Sequence, residues 1–252
     1  MNLSHADFAN SESFETSGVR LYRELQHEIL TGKLHPGERL IRRELCARFQ
    51  LSQSTVTEAL WRLENDGLVE SAPMYGTRVC EISLDRTRNE HVLREALECQ
   101  VARELAHVLH PDDEPRLLKL ADKVDSAMRG DGQSQESMEL HRIFHMTLAE
   151  LTTFTLLAKE VALQWHRHLV LFNKISSRIL PIPAGWHRSL LTEIFSRDPE
   201  RAERAMRTHV RYGHSQQLQV VAEINRDLQA GESENATGRT HADGSGQSEV
   251  QP

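Results

Sequence analysis

Strand-like patterning stops at Ile82 in this 252-residue chain, and everything beyond reads as helix or loop. A chain whose strand signals are confined to one end cannot build a central sheet; it divides into a mixed N-terminal region and an all-helical remainder. The length suits that division, because two units of this size can each bury a core.

Within the N-terminal region, Leu21, Leu25, Ile29 and Leu30 recur at helical spacing between Val19 and Thr31, and Gly32 ends the run. The segment Leu34-His35-Pro36-Gly37-Glu38 reads as a turn, followed by a second helix near Arg42 to Phe49 that breaks at Leu51-Ser52. Ser52 or Ser54 caps a third helix by accepting a bond from a free backbone N–H, and Val56, Ala59, Leu60 and Leu63 form its inner face. Leu68 to Ser71 and Thr77 to Ile82 are short strand-like runs joined through Ala72-Pro73-Met74-Tyr75-Gly76, which predicts a hairpin. Helix, helix, turn, helix, hairpin is the order of a winged helix-turn-helix.

From Leu84 six helical segments are expected, at roughly 84–109, 112–129, 134–151, 155–177, 184–196 and 199–224, with Pro111, Gly130, Gly132, Pro181, Pro183 and Pro199 between them. The expected fold class is therefore mainly α: a winged helix-turn-helix with a small β hairpin over 19–82, and an all-α helical bundle over 83–226. Residues 1–18 and 227–252 are polar and read as a disordered leader and tail. No apolar run approaches the roughly 20 residues that span a bilayer, and the N-terminus lacks the pattern of a signal peptide, so a cytoplasmic protein without a membrane partner is expected. Cys46, Cys80 and Cys99 are widely spaced, which argues against a disulfide framework or a cysteine zinc site.

A formal charge of −7 counts against nucleic-acid binding by the chain as a whole. Locally the balance reverses: Lys33, Arg39, Arg42, Arg43 and Arg48 stand against Glu38 and Glu44. The third helix leaves Gln53, Ser54, Thr55, Thr57, Glu58, Trp61 and Arg62 outward or near its start, and a major groove about 12 Å wide admits one such helix. Arg78, beside Gly76 and Thr77, can follow the wing into the minor groove. The candidate DNA contacts are Arg39, Arg42, Arg43, Gln53, Ser54, Thr55, Thr57, Arg62 and Arg78. The competing reading is a winged helix used for protein contacts.

Of the 14 histidines, His141 and His145 lie four apart on one helix face, and His187 and His209 fall on two other predicted helices. Three helices can close around one divalent ion, and imidazole nitrogen suits zinc or nickel. Spacing alone leaves the plainer reading of exposed helix histidines open.

Residues 22–79 resemble the DNA-binding domain of the GntR family of bacterial regulators. The resemblance is carried by Leu34-His35-Pro36-Gly37-Glu38-Arg39-Leu40, Glu44-Leu45-Cys46-Ala47-Arg48-Phe49, Leu51-Ser52, Glu58-Ala59-Leu60, Leu63-Glu64, Asp66-Gly67-Leu68-Val69 and Gly76-Thr77-Arg78-Val79. Where the family usually has arginine after the serine and before Glu-Ala-Leu, this chain has Gln53 and Thr57, which implies an altered operator. Residues 89–215 are similar to the effector domain of the FadR-type branch, the FCD domain, through Arg94-Glu95-Ala96-Leu97-Glu98, Phe144-His145, Trp186-His187-Arg188, Ile194-Phe195-Ser196-Arg197-Asp198 and His209-Val210. Six helices are similar to its VanR-like subgroup.

That resemblance implies a metal held by one aspartate and three histidines, with His141 here standing at the aspartate position. Four-histidine coordination by His141, His145, His187 and His209 follows as an expectation, with zinc as the first candidate ion and nickel or manganese as alternatives. It also implies a small organic acid as effector, for which Arg94 and Asn173 are candidate partners, and a homodimer acting as a repressor on a double-stranded operator. The alternative is a metal-dependent enzyme or a metal-binding helical bundle; no His-Glu motif of the metalloprotease kind supports it, so the chain is expected not to be an enzyme.

Overall fold

The computed structural model describes residues 16–129, 134–175, 182–212, 214 and 217–226. Helices α1 (Ser17–Leu30), α2 (Arg42–Phe49) and α3 (Gln53–Asn65) are followed by α4 (Leu84–Val108), α5 (Glu114–Ala127), α6 (Gln135–Leu151), α7 (Thr155–Ile175), α8 (Trp186–Phe195) and α9 (Pro199–Arg211). Strands β1 (Arg39–Leu40), β2 (Val69–Ala72) and β3 (Gly76–Val79) make an antiparallel sheet in the order β1-β3-β2. The described residues fall into two compact units, one of 1–81 with 165–174 and the other of 82–164 with those from 175 onward.

Most of the helix boundaries follow from local capping. Thr16 caps α1 through Val19 N–H, which starts that helix at Ser17, inside the expected leader. The Ser52 hydroxyl accepts from Thr55 N–H to open α3, Ser83 does the same for α4, and the Asp198 carboxylate accepts from two backbone N–H groups of α9. Between α2 and α3 the chain turns through Gln50, whose φ of 54° is left-handed, giving the helix-turn-helix its corner.

The structure corrects several sequence expectations. Strand β1 was not expected: two residues are too short to show an alternation, and Arg39 and Leu40 form it only by pairing with Arg78 and Thr77. The second hairpin strand ends at Val79 rather than Ile82. The segment expected over 112–129 opens with a 3-10 turn, Pro111–Asp113, before α5, and the segment expected over 199–224 ends at Arg211, where Tyr212 takes an extended backbone; residues 217–226 are helical again. The leader up to 15, the tail from 227 and the punctuating Gly130, Gly132 and Pro181 lie outside the described residues.

In the first unit, Leu21, Leu25 and Ile29 of α1 pack with Val56, Ala59, Leu60 and Leu63 of α3, closed off by Leu68, Val69 and Val79. Each fully buried aliphatic side chain contributes about 1.5–3 kcal/mol. One acid sits beside this core: Glu28 is 1% exposed and is paired with Arg48, whose Nη1 is 2.8 Å from Oε2, and with Lys33. A buried carboxylate without partners would be strongly destabilising, and Lys33 and Arg48, themselves exposed, offset its charge. Glu28 thus offsets one unit of the positive charge counted in that stretch.

The second unit buries Val101 and Leu105 of α4, Leu117 and Val124 of α5, Phe144 and Leu148 of α6, Leu190 and Ile194 of α8, and Ala202 and Met206 of α9. A run of ion pairs fixes α9 along α4: Glu95 accepts from Arg207 at 3.0 Å and Arg211 at 2.7 Å, and Glu203 from Arg103 at 2.6 Å. That register turns His209 inward, where it is buried.

A candidate metal centre and a candidate DNA interface

His141 and His145 are one turn apart on α6, His187 opens α8 and His209 lies in the last turn of α9; all four are buried. Their nearest ring nitrogens all lie within 4.8 Å of one another. His141 does not turn away from the group: its Nε2 is 3.0 Å from His145 Nε2, and its ring centroid is 4.7 Å from that of His187.

Two carboxylates that sequence reasoning missed orient the rings. Asp125, on α5, accepts from His187 Nδ1 at 2.7 Å and also from the backbone N–H groups of His187 and Arg188 at 3.1 and 3.4 Å. It therefore serves as a long-range cap of α8, whose preceding residue, Gly185, sits at φ 67° and supplies no side chain. Burial alone would raise the Asp125 pKa, but these donors hold it below its ordinary value, so the carboxylate is charged and His187 Nδ1 carries the proton. His187 Nε2, buried and without a hydrogen-bond partner, then presents a lone pair to the group.

Glu98, on α4, plays the same part for His145, pairing with its Nδ1, and accepts from Arg94 Nε at 2.8 Å. Burial opposes its ionisation, yet His145 and Arg94 bring its pKa down to about 2. Neither acid is signalled by spacing, since each lies on a helix carrying none of the four histidines; Glu98 shows as the i+4 partner of Arg94 and the end of the Arg94–Glu98 motif, with nothing that points to His145. Arg94, expected to meet an effector, is buried and held by Glu98. The side chain of Asn173 lies outside the described residues.

Burial, and then the other rings of the cluster, hold His141 and His209 well below the ordinary histidine pKa; burial also lowers His187, against the pull of Asp125. Neutral imidazoles with inward lone pairs, backed by carboxylates, are the donor set a divalent ion requires. Neither nitrogen of His209 has a hydrogen-bond partner, although the ring is only 6% exposed. Buried polar nitrogens left in that condition are costly, and an ion would satisfy them. The residues present therefore fit a metal. Beside them, a cleft of about 430 Å³ is lined by Trp186, Ser189, Glu193, Arg204, Thr208 and His209, among others.

The first unit exposes Gln53, Ser54, Thr57 and Arg62 along one side of α3, with Thr55 half-buried at its start. Their polar groups are already engaged locally. Thr57 donates its hydroxyl to Gln53 C=O at 2.8 Å, Ser54 shares a 2.9 Å bond with the capping Ser52, and Arg62 pairs with Glu58. Arg39 and Arg43 are exposed, while Arg42 reaches Thr77 Oγ1 at 3.3 Å. Arg78 is on β3, within the hairpin as expected, held by Glu70 at 2.7 Å and Glu81 at 2.6 Å.

A winged helix-turn-helix joined to a helical unit with a buried histidine cluster defines a two-unit DNA-binding regulator. Residues 18–79 match the family described as "Bacterial regulatory proteins, gntR family" and residues 91–212 match the FCD domain. The chain belongs to the GntR family, in its FCD-containing branch, and is a DNA-binding transcriptional regulator rather than an enzyme. It is 26% identical over 213 residues to the HTH-type transcriptional repressor RspR of Escherichia coli K12, covering 83% of this chain and 89% of the relative. It is 30% identical over 196 residues to an HTH-type transcriptional regulator from an unstable DNA locus of Streptomyces ambofaciens, covering 76% of this chain and 80% of that one. The solved structure of E. coli McbR/YncC shares the fold, with a TM-score of 0.66 at 21% identity over 81% of this chain and 98% of that chain. Among the described residues no helix is long and apolar enough to cross a membrane.

Proposed function

We propose that this regulator is a homodimeric repressor whose grip on its operator is weakened by a small organic acid bound beside a divalent metal in the helical unit. The carrying observation is the four-histidine group, converging within 4.8 Å and backed by Glu98 and Asp125. His141, His145, His187 and His209 would hold the ion, zinc being the first candidate for an all-nitrogen set. When bound, such an ion supplies an electrophilic anchor for a carboxylate oxygen. Histidine in place of an aspartate leaves the donor set without a negative charge; Glu98 and Asp125 supply it one hydrogen bond further out.

Arg94 holds Glu98, and thereby the His145 ring, in position, so its part in effector recognition is orientation of the site. Arg204 on the neighbouring cleft offers an acid a cationic approach that ends at His209. On the DNA side, Arg39, Arg42 and Arg43 would meet phosphates, while Gln53, Ser54, Thr55, Thr57 and Arg62 face the major groove. Gln53 favours adenine and the Thr57 methyl favours thymine, so an operator richer in A·T at those positions is expected. A symmetric dimer places the two recognition helices about one helical turn apart.

The test combines metal content with operator binding. Protein stripped by chelator and reloaded with Zn²⁺, Ni²⁺ or Mn²⁺ is used to select duplexes from a random library, and affinity is then measured against a panel of small mono- and dicarboxylates. About one ion per chain, a palindromic operator and a roughly 5–150-fold loss of affinity with one acid are expected. A protein that retains no ion and whose operator binding ignores every acid would refute the effector reading and leave the DNA reading standing.

A further inference from the structure

The hairpin closes through Pro73-Met74-Tyr75, and its tip is apolar and exposed: Met74 is fully accessible and Tyr75 is 72% exposed. Met74 takes φ 67°, a left-handed conformation uncommon for a long side chain, while Tyr75 N–H bonds Ala72 C=O at 3.1 Å across the turn. Arg78 stands back on β3 between Glu70 and Glu81, with Arg39 opposite it in the strand register. The wing thus has an apolar point and, behind it, a shoulder of paired charges, Arg39 and Arg78 with Glu70 and Glu81.

We propose that Met74 and Tyr75 form a wedge that enters the minor groove beside the operator half-site and unstacks a base step, bending the duplex. The proposal rests on the DNA-binding reading and deepens it. Methionine and aromatic side chains driven between base pairs are a known means of kinking DNA, by about 20–90° toward the major groove. Two side chains are far too small a patch for a stable protein interface, which needs on the order of 1,000 Å². Arg39 and Arg78 stand behind that point, and exposed pairs such as Arg78 with Glu70 and Glu81 can be exchanged for phosphates at little cost. Flexible pyrimidine–purine steps unstack most cheaply, so the wedge selects TA or CA at a position no polar side chain reads.

Three measurements test this on the full-length protein and its selected operator: 2-aminopurine fluorescence at the flanking step, bend angle by end-to-end energy transfer, and affinity. The wild type should raise the fluorescence and bend the duplex. Met74→Ser with Tyr75→Ser, at solvent-exposed positions that leave the fold intact by circular dichroism, should abolish both signals, cut affinity by about 5–30-fold and erase the preference for TA over an A-tract. A double variant that bends and unstacks the duplex as the wild type does would overturn the wedge, as would one that changes only the oligomeric state, marking a protein contact. Failure of the DNA-binding reading itself looks different: wild type and variant alike would enrich no sequence from the library, and the wedge would fall with it.

Discussion

The histidine cluster and the recognition surface hold their polar groups in opposite ways. In the helical unit, the four rings are buried and two of them are fixed by carboxylates, leaving His187 Nε2 and both nitrogens of His209 without hydrogen-bond partners. On α3 and the wing, exposed groups satisfy one another at the surface: Arg62 with Glu58, Arg78 with Glu70 and Glu81, Thr57 with Gln53. The first arrangement suits a ligand held at a fixed point, whereas the second can exchange its own weak pairs for phosphates and bases at little cost. Changes at the centre should therefore be large and selective, and changes at the surface small and graded.

The sharpest way to break this contrast is His187→Ala, which removes a donor whose other nitrogen is anchored. A loss of zinc affinity on the order of 100-fold or more is expected by calorimetry, beyond the 10–100-fold typical of partners outside the donor set. Asp125→Asn probes that outer shell. It leaves the ring in place but withdraws the charge that fixes its tautomer, so zinc affinity should fall by about 10–100-fold. Equal zinc affinity in wild type and Asp125→Asn would show that the cluster is packing rather than a prepared site.

Much of this was legible in the sequence, and the part that was not has a physical reason. The capping serine at 52, the apolar stripe of α3, the hairpin and the convergence of His141, His145, His187 and His209 each have a local pattern or a family motif. Asp125 has neither, and Glu98, though inside the Arg94–Glu98 motif, is not marked there as the partner of His145, because a carboxylate that orients a ring on another helix is defined by tertiary packing alone. The same holds for the cations. The local charge count over 33–48 did not show that Glu28 of α1 is buried beside Lys33 and Arg48 and paired with both. Arg78 was placed correctly in the hairpin, yet nothing in its neighbours' spacing told that Glu70 faces it across the register.

A third, intermediate effect lies outside the cluster. His91 stacks on His214, with centroids 3.3 Å apart and planes 6° from parallel. Burial, then the neighbouring His214 and Arg94 charges, lower its pKa from 6.5 to about 4, with Glu95 opposing and Arg211 adding to the shift. Because the folded protein takes up this proton later than the unfolded chain, the contribution to stability is complete above about pH 6.5 and is lost as pH falls toward 4. Thermal or urea unfolding from pH 7.5 to 4.5 should show a decline of about 1–2 kcal/mol that His91→Gln flattens. An unchanged slope in that variant would assign the acid limb to other groups.

The smallest effect is predicted for Glu70→Gln, and it bears most directly on the surface half of the comparison. Glu70, Arg78 and Arg39 stand in one row across the sheet, so the carboxylate both holds Arg78 and offsets a cationic pair that would otherwise face phosphates. An exposed ion pair of this kind is worth little to the fold, and the variant should melt within a degree or so of the wild type. For DNA the sign is favourable: removing one negative charge and leaving Arg78 with Glu81 as its one remaining carboxylate should tighten operator binding by about two- to five-fold and steepen the salt dependence by up to roughly one counterion. If Arg78 instead needs Glu70 to stay aligned with the groove, affinity falls and the salt slope flattens, and the surface pairs would then be a scaffold as fixed as the carboxylates of the histidine cluster.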